Sequence, residues 1–408
     1  MKIQRLVSTL LTLAALTTPM TVKADEVTDW NQIMQTTVAS GNANVQARSG
    51  AIVQLAVFEA VNSIIGDYEP YLGTITAPPG ASPDAATIAA AHRTLVTLFS
   101  GSAGNLNTLR ESALAAIPAG PAKEDGIAVG EVAAAAMLLL RANDGAAQAG
   151  TTPYTPGTNP GDWQPAPPNF APASLPGWGL VTPFGMEEGS QFRLPPPPGL
   201  RTGKYAHDYN EVKLVGQNLS AFRPQDRTDV ARFFAAASPI QTWNPPARQV
   251  SLAQGRTLSE NARIFALLAM AIADASIATY ESKYYYNFWR PLTAIRGGDS
   301  DRNHQTDPDV AWSPLLPTPA FPSYPSAHAT LSGAARRVLE RVFGKQDHAI
   351  TLTNPTLGLT LNYTEFKQIC DDIDDARVYG GIHFRFEQEA GARQGKDVAN
   401  YILDNYLR

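Results

Sequence analysis

Cysteine is all but missing from this chain: Cys370 stands alone among 408 residues. One thiol excludes an intramolecular disulfide framework and any zinc or iron–sulfur site built from cysteines. Basic charge is scarce as well. Lysine and arginine number 32 against 37 acidic residues, a net charge of −5, whereas general nucleic-acid binding wants a basic face for the phosphates. Charged residues make up 17% and apolar ones 44%. The chain is therefore too hydrophobic for a disordered tail, and long enough to bury one large core or two moderate ones. Period-two alternation long enough to found a sheet is missing, and so is any internal repeat of about 20–50 residues.

What is present begins with a leader. Lys2 and Arg5 precede the apolar run Leu6 to Leu16, and Val22-Lys23-Ala24 puts small residues at the −3 and −1 positions of a cleavage point after Ala24. Residues 1–24 read as a secretory signal peptide, since the run is well short of the ~20 apolar residues that span a bilayer. Cleavage removes three basic and no acidic residues and takes the net charge from −5 to −8. The expectation is an exported protein, periplasmic or secreted, with no later segment apolar and long enough to span a membrane.

Residues 46–65 place Ile52, Leu55, Ala56, Phe58, Val61 and Ile64 close to the i, i+3, i+4, i+7 spacing of an amphipathic helix. Asp84 is positioned to N-cap a second helix running to Leu98. Gly126 to Arg141 gives a third, closed by the turn signal Asn143-Asp144-Gly145. Residues 151–200 then hold 13 of the 32 prolines, ending in Pro195-Pro196-Pro197-Pro198, which excludes regular helix there. Trp163, Phe170, Trp178, Phe184 and Phe192 are interleaved with them. Disordered linkers are poor in aromatics, so this stretch is expected to be a pinned, irregular wrap over the helices. Helical pattern resumes at 225–238, strongly at 252–289, after Ser326, and through the C-terminal 50 residues. The expected fold is mainly α, with two packed helical bundles and a proline-rich irregular connecting belt. Its divisions are an N-terminal helical region at 25–150, the wrapping segment at 151–224, and a C-terminal bundle at 225–408 that carries the chemistry.

Three short segments of the second half hold that chemistry. In Lys283-Tyr-Tyr-Tyr-Asn-Phe-Trp-Arg290-Pro291, positions seven apart on a continuous helix differ by about 20°, so Lys283 and Arg290 project from one face. Side by side the two cations repel unless an anion lies between them. By themselves they read equally well as solvated cations snorkelling over aromatic neighbours. In Phe321-Pro322-Ser323-Tyr324-Pro325-Ser326-Ala327-His328-Ala329, a proline-built turn delivers Ser326 to the start of a helix, where free N–H groups and the positive dipole end suit an oxyanion. The Ser326 hydroxyl and the Ala327 amide are candidate donors and His328 a candidate proton carrier. The plain alternative is a serine N-cap followed by a solvent-facing histidine. In Arg377-Val-Tyr-Gly-Gly-Ile-His383-Phe-Arg-Phe-Glu387, His383 and Glu387 are i, i+4 if helical, so the carboxylate can hold one ring nitrogen and aim the other. Arg377 adds a forked, permanently charged donor. The alternative there is a surface pair worth roughly a few tenths of a kcal/mol.

Taken together, Lys-x6-Arg-Pro, Pro-Ser-x-His and Arg-x5-His resemble the three-part signature shared by vanadium-dependent haloperoxidases and type-2 phosphatidic-acid-phosphatase-like acid phosphatases. The flanking residues 288–296, 321–329 and 381–386 look like the soluble haloperoxidase branch more than the membrane-embedded lipid phosphatases. Weaker similarity at Phe58-Glu-Ala-Val-Asn and from Pro165 to Phe192 extends the likeness over most of the chain that follows the leader.

The resemblance implies a set of roles. Lys283, Arg290 and Arg377 neutralise the equatorial oxygens of a tetrahedral oxyanion, vanadate or phosphate, with Ser326 and the Ala327 amide as further donors. His383 is the axial vanadium ligand of a peroxidase, or the nucleophile that becomes a phosphohistidine in a phosphatase. His328 is the acid/base group in either. One cationic cradle serves both, because pentacoordinate vanadate resembles the transition state of phosphoryl transfer. The family usually has glycine where Ala327 stands and commonly aspartate where Glu387 stands. Phe321 matches a halide-side residue of the chlorinating branch, and Tyr280 occupies the matching tryptophan position. Asp274 is a possible bracing carboxylate for an arginine, or more plainly a capping or solvated residue. His92, His207, His304 and His348 share no motif with these residues and are expected to be structural or on the surface. Three functions follow from this. The first is a vanadium-dependent haloperoxidase acting on hydrogen peroxide and halide with a vanadate cofactor. The second is a secreted acid phosphatase acting on phosphate esters without that cofactor. The third is a non-catalytic oxyanion-binding protein, suggested by Ala327.

Overall fold

Residues 24–408 are described in the computed structural model, so the expected signal peptide lies outside the described residues but for Ala24. The chain opens with α1 (Glu26–Thr37), where Asp25 and Thr28 form a reciprocal capping box. The expected amphipathic stretch at 46–65 is α2 (Ala43–Ile65), stopped by Gly66 in the left-handed conformation. α3 (Pro83–Leu98) is capped by Ser82 rather than by Asp84. Pro83 takes the first helical position, where a missing N–H costs nothing, and this moves Asp84 inside the first turn. α4 (Ala103–Ala115) and α5 (Pro121–Leu140) complete the N-terminal group.

After the belt come α6 (Gly203–Val215), α7 (Gln225–Ala235), α8 (Pro239–Ala253), α9 (Leu258–Tyr286), the short α10 (Pro291–Arg296), α11 (Ala327–Phe343), α12 (Phe366–Tyr379) and α13 (Arg385–Asn405). Between α11 and α12 lies a hairpin the sequence reading did not anticipate, β1 (Ile350–Asn354) paired antiparallel with β2 (Leu359–Tyr363), Ile350 opposite Tyr363. Five-residue strands with only one face half-covered are too short to raise an alternation signal. The fold is mainly α, helix packed on helix around an irregular belt.

α9 is the axis of the molecule. Its 29 residues pack against α2, α11 and α13, and residues 262–280 are buried almost without a break. By length and composition this helix is apolar enough to cross a membrane, which corrects the expectation that no segment after the leader is. Yet 94% of its apolar window is covered by the rest of the protein, the pattern of a central core helix.

The proline-rich segment behaves as a belt fastened to α9. Its tryptophans Trp163 and Trp178 and its Phe184 are buried, whereas Phe170 is exposed. Trp163 N–H donates to the Asn287 carbonyl at 2.7 Å, and Trp178 Nε1 donates to Ser276 Oγ at 3.0 Å. Asp274 is the strongest fastening. Its carboxylate accepts the backbone N–H groups of Phe184, Gly185 and Met186 at 2.6, 2.7 and 2.8 Å. Asp274 was a possible brace for an arginine at the site, with a capping or solvated role as the plainer reading. The structure corrects this: it stands more than two turns before Lys283, and its hydrogen-bonding capacity goes to the belt. Burial pushes its carboxyl up to about 6, against the pull of those three amides.

Two apolar clusters fill the interior. The larger joins the N-terminal helices to α8, α9 and α11–α13. The smaller is aromatic, built from Tyr205, Tyr209, Phe288, Trp289, Trp312, Tyr324, Phe384 and Phe386. Phe384 stacks on Phe386 with ring centroids 5.3 Å apart, Phe288 meets both edge-on, and Tyr324 lies 6.3 Å from Phe386. Each of the three motif segments contributes at least one of these rings. Burying the cluster therefore pulls together segments that are up to 100 residues apart in sequence.

Candidate functional site

Lys283 leaves the last turn of α9, but Arg290 does not continue that helix. α9 ends at Tyr286, Asn287 turns the chain in the left-handed conformation (φ 50°), and Arg290 becomes the N-cap of α10 with Pro291 at its first position. Asparagine tolerates this backbone and proline prefers the start of a helix, so the expected continuous helix breaks four residues early. The two cations still converge, by way of the loop 321–325. Both are fully buried. Lys283 Nζ donates to the carbonyls of Pro322 at 3.1 Å, Ser323 at 2.7 Å and Pro325. Arg290 Nε donates to the Phe321 carbonyl and Nη1 to the Ile382 carbonyl, each at 2.9 Å. The Phe321 ring covers both, 5.3 Å from the ammonium and 4.8 Å from the guanidinium carbon. Tyr280 packs against that ring, tilted, with centroids 5.4 Å apart.

Ser326 is the N-cap of α11, as its position after the prolines implied. Its hydroxyl accepts the Ala329 N–H at a long 3.4 Å, and the amide of Ala327 stands in the first turn, where helical N–H groups lack an intrahelical acceptor. His328 follows on the same turn, half-buried.

His383 and Glu387 meet, though not as an i, i+4 pair along a helix. His383 lies before α13, whose N-cap is Phe384, and Glu387 at its third position reaches back. Glu387 Oε2 accepts the Phe384 N–H at 3.1 Å, the Ser323 hydroxyl at 2.8 Å and His383 Nδ1 at 2.5 Å. Arg290 Nη1 donates to His383 Nε2 at 3.0 Å. A donor at Nε2 and a carboxylate at Nδ1 fix the neutral tautomer with its proton on Nδ1 and its lone pair on Nε2. Ser323, which bonds Glu387 through its hydroxyl and Lys283 through its carbonyl, is a site residue the sequence reading passed over. The signal lay in Pro322-Ser323-Tyr324-Pro325-Ser326, where two serines three apart share one turn and only the second precedes the Ala-His pair.

Electrostatics follow from this crowding. Burial, then Arg290, depresses Lys283 well below the ordinary lysine value, and Arg290 is lowered by burial to about 10. Arg377, near the end of α12, is buried and lowered to about 9, and its Nε has no hydrogen-bond partner. His328 and His383 are both held well below the usual histidine range, first by burial and then by the same three cations. Burial raises Glu387, the carboxyl in contact with His383, to about 7. Three buried cations facing so weak an acid, one of them with an unpartnered N–H, form a donor set that fits an oxyanion. Lys283, Arg290, Ser326, Ala327, His328, Arg377, His383 and Glu387 are thus brought together, with Phe321 and Tyr280 at the border. Asp274 stands apart. So do His92, bonded to Asn107, His207, bonded to Asp208, and His348, packed on Phe366.

This arrangement predicts a pH effect on anion binding that can be read with sulfate, whose charge is constant between pH 5 and 8. An anion in the cradle favours the protonated forms of His328 and Glu387, so binding is linked to proton uptake. Sulfate affinity is expected to fall as pH rises from 6 to 8, by up to about tenfold per pH unit for each linked proton. Calorimetric titration measures this directly, and a flat or rising affinity would contradict the arrangement.

Comparison with known proteins points to the same part of the chain. The family described as the VCPO second helical-bundle domain matches residues 263–408, a span that contains every cationic and histidine member of the cradle. The vanadium chloroperoxidase of Curvularia inaequalis is 38% identical over 90 residues, a stretch covering 20% of this chain and 14% of that protein. Over most of its length the chain superimposes on the crystal structure of the first bacterial vanadium-dependent iodoperoxidase, with a TM-score of 0.78 and 26% identity, covering 93% of this chain and 94% of that one. An apo-type bacterial vanadium-dependent chloroperoxidase shares the fold at a TM-score of 0.74 and 18% identity, covering 89% and 94% of the two chains. The helical architecture, the three spaced motifs and these relatives agree: residues 263–408 match the VCPO second helical-bundle domain, and the chain as a whole has the fold of the vanadium-dependent haloperoxidases.

Proposed function

We propose that the protein is a vanadate-dependent haloperoxidase, which oxidises halide with hydrogen peroxide, and that it is exported through its N-terminal signal peptide. The observation that carries this reading is the buried His383 in its neutral tautomer, with the Nε2 lone pair presented among Lys283, Arg290 and Arg377. Similarity to the bacterial iodoperoxidase over nearly the whole chain favours it over phosphoester hydrolysis.

When bound, vanadate supplies a Lewis-acid centre that activates hydrogen peroxide towards attack by halide. Arg377, with its free Nε, and Arg290 neutralise the oxyanion. Lys283 adds its charge while its ammonium holds the 322–325 carbonyls in place. The Ser326 hydroxyl and Ala327 N–H donate from the start of α11. Glu387 keeps the His383 proton on Nδ1 and so keeps Nε2 available as a ligand atom. Arg290 Nη1 occupies that same lone pair, so guanidinium and oxyanion compete for His383. His328, neutral because burial and three cations oppose its charge, accepts a proton from hydrogen peroxide on a ring nitrogen. Phe321 and Tyr280 give the halide an apolar, aromatic wall.

The same lone pair on His383 suits a nucleophile, and the same His328 suits protonation of a leaving alcohol, so a phosphatase is the second reading. Purified protein assayed for halide oxidation with and without vanadate, beside phosphomonoester hydrolysis, separates the two. Vanadate-dependent oxidation with negligible hydrolysis is expected. Hydrolysis inhibited by vanadate would replace the proposal, and silence in both with measurable phosphate binding would leave a binding protein.

A further inference from the structure

Beside the cradle runs a cleft of about 590 Å³, larger than halide or peroxide requires and within the range of small-molecule sites. One wall is the belt at Pro167, Pro168 and Ala171, and another is α10 at Leu292 and Arg296. The floor is the proline-rich loop 313–320. Most of this lining is apolar, and two polar groups stand out. Arg296 Nε donates to the Trp312 carbonyl at 2.7 Å, and among the described residues no carboxylate lies within ion-pair reach of its guanidinium. Thr318 Oγ1 is buried without a hydrogen-bond partner.

The cleft is mechanically continuous with the cradle. α10 has Arg290 as its N-cap and Arg296 as its last residue, about 9 Å apart along the axis. On the floor, Ala320 precedes Phe321, whose carbonyl binds Arg290 Nε and whose ring covers Lys283 and Arg290. Ala320 is itself held by the belt, its carbonyl accepting the Ser174 N–H at 2.8 Å. A molecule seated in the cleft rests one residue from the aromatic wall of the site.

We propose that this cleft docks the organic acceptor of the reaction, an aromatic molecule carrying a carboxylate. The apolar lining takes the ring, and Arg296, a planar fork with no acidic partner of its own, takes the carboxylate. The role as acceptor rests on the haloperoxidase reading, whereas the binding does not. Transfer of halogen from a hypohalous equivalent forms a carbon–halogen bond, releases the ring proton, and returns the hypohalous oxygen as water. No further oxidant is required.

The test uses the full chain loaded with vanadate, with hydroxyphenylacetate, uncharged hydroxyphenylacetamide and cationic tyramine as probes, and binding read by ligand-observed NMR without peroxide. Hydroxyphenylacetate is expected to bind at least tenfold more tightly than the other two, and Arg296→Gln to abolish that preference. Ala171→Phe, which fills the cleft and keeps the charge, is expected to weaken all three probes. Iodide oxidation to triiodide, which needs the cradle but no organic acceptor, should be unchanged in both variants. Equal binding of the three probes, or a preference that survives Arg296→Gln, would overturn the proposal. Loss of triiodide formation in the unsubstituted protein would instead overturn the haloperoxidase reading and leave the binding result standing.

Discussion

Replacing His383 with alanine is expected to reduce turnover by a factor of about 10³ or more, to the background of the assay. In the proposed function this imidazole offers its Nε2 lone pair to the centre of the oxyanion while His328 handles the proton, so its loss removes the ligand bond and leaves the proton carrier in place. Two further partners are stranded with it. Arg290 Nη1 loses its contact at Nε2, and Glu387 Oε2 loses Nδ1 while keeping Ser323 and the Phe384 amide. The cations remain, so sulfate affinity should change far less than turnover. That split separates a lost ligand from a collapsed site. Circular dichroism reports the fold, and calorimetry with sulfate reports the cradle. Full turnover in His383→Ala would remove His383 from the chemistry.

How much of this was legible beforehand depended on the range of the forces involved. The long helices were readable because apolar spacing is a local property of the chain, and α2, α5, α9 and α11 follow it. The cradle was readable because each motif keeps its charged residues within a few positions of one another. Where those residues sit on the backbone was not. Lys283 and Arg290 appeared to share a helix, and Asn287 separates them; His383 and Glu387 appeared to share one too, and a helix starts between them. In both cases a single residue's backbone preference decided a geometry that side-chain spacing had left open. α8 was hidden for the opposite reason. Pro245 and Pro246 sit inside it, and the helix survives because Trp243 is fully buried with Nε1 bonded to Ser332 Oγ at 3.0 Å, while Asn244 is bonded to Asn31 at 2.7 Å. Tertiary packing there outweighs a local penalty of about 3 kcal/mol. The partners of Asp274 were hidden because they are belt amides some 90 residues away, and no local pattern records such a contact.

Gly395→Ala is expected to be the most damaging single-methyl addition in the chain. The cradle depends on how closely α11 approaches α13, since one supplies Ser326, Ala327 and His328 and the other Glu387, with His383 just before it. The two helices touch backbone to backbone. A β-carbon on Gly395 would lie 1.9 Å from the Thr330 carbonyl oxygen and 2.7 Å from the Ala334 nitrogen. At Gly391 it would lie 2.7 Å from the Ser326 carbonyl oxygen. These obstacles are backbone atoms within a helix, so no rotamer change relieves them and the helices must separate. The Ser326 N–H to Glu387 carbonyl bond, 3.1 Å long, ties the two helix starts together and lies in the path of that separation. Overpacking of this kind costs about 3 kcal/mol, at the upper end of its usual range, because the strain falls on a core contact that nothing flexible absorbs. The activity effect is expected to exceed what the stability loss explains. A shift of about 1 Å between catalytic groups can cost on the order of 100-fold in rate while the protein remains folded. Denaturant unfolding and turnover measured on the same preparation separate the two effects. Gly203→Ala, where a β-carbon meets nothing within 4 Å, serves as the control and should be neutral or slightly stabilising. If Gly395→Ala were as benign as that control, the helix contact would not be what sets the distance between His328 and His383.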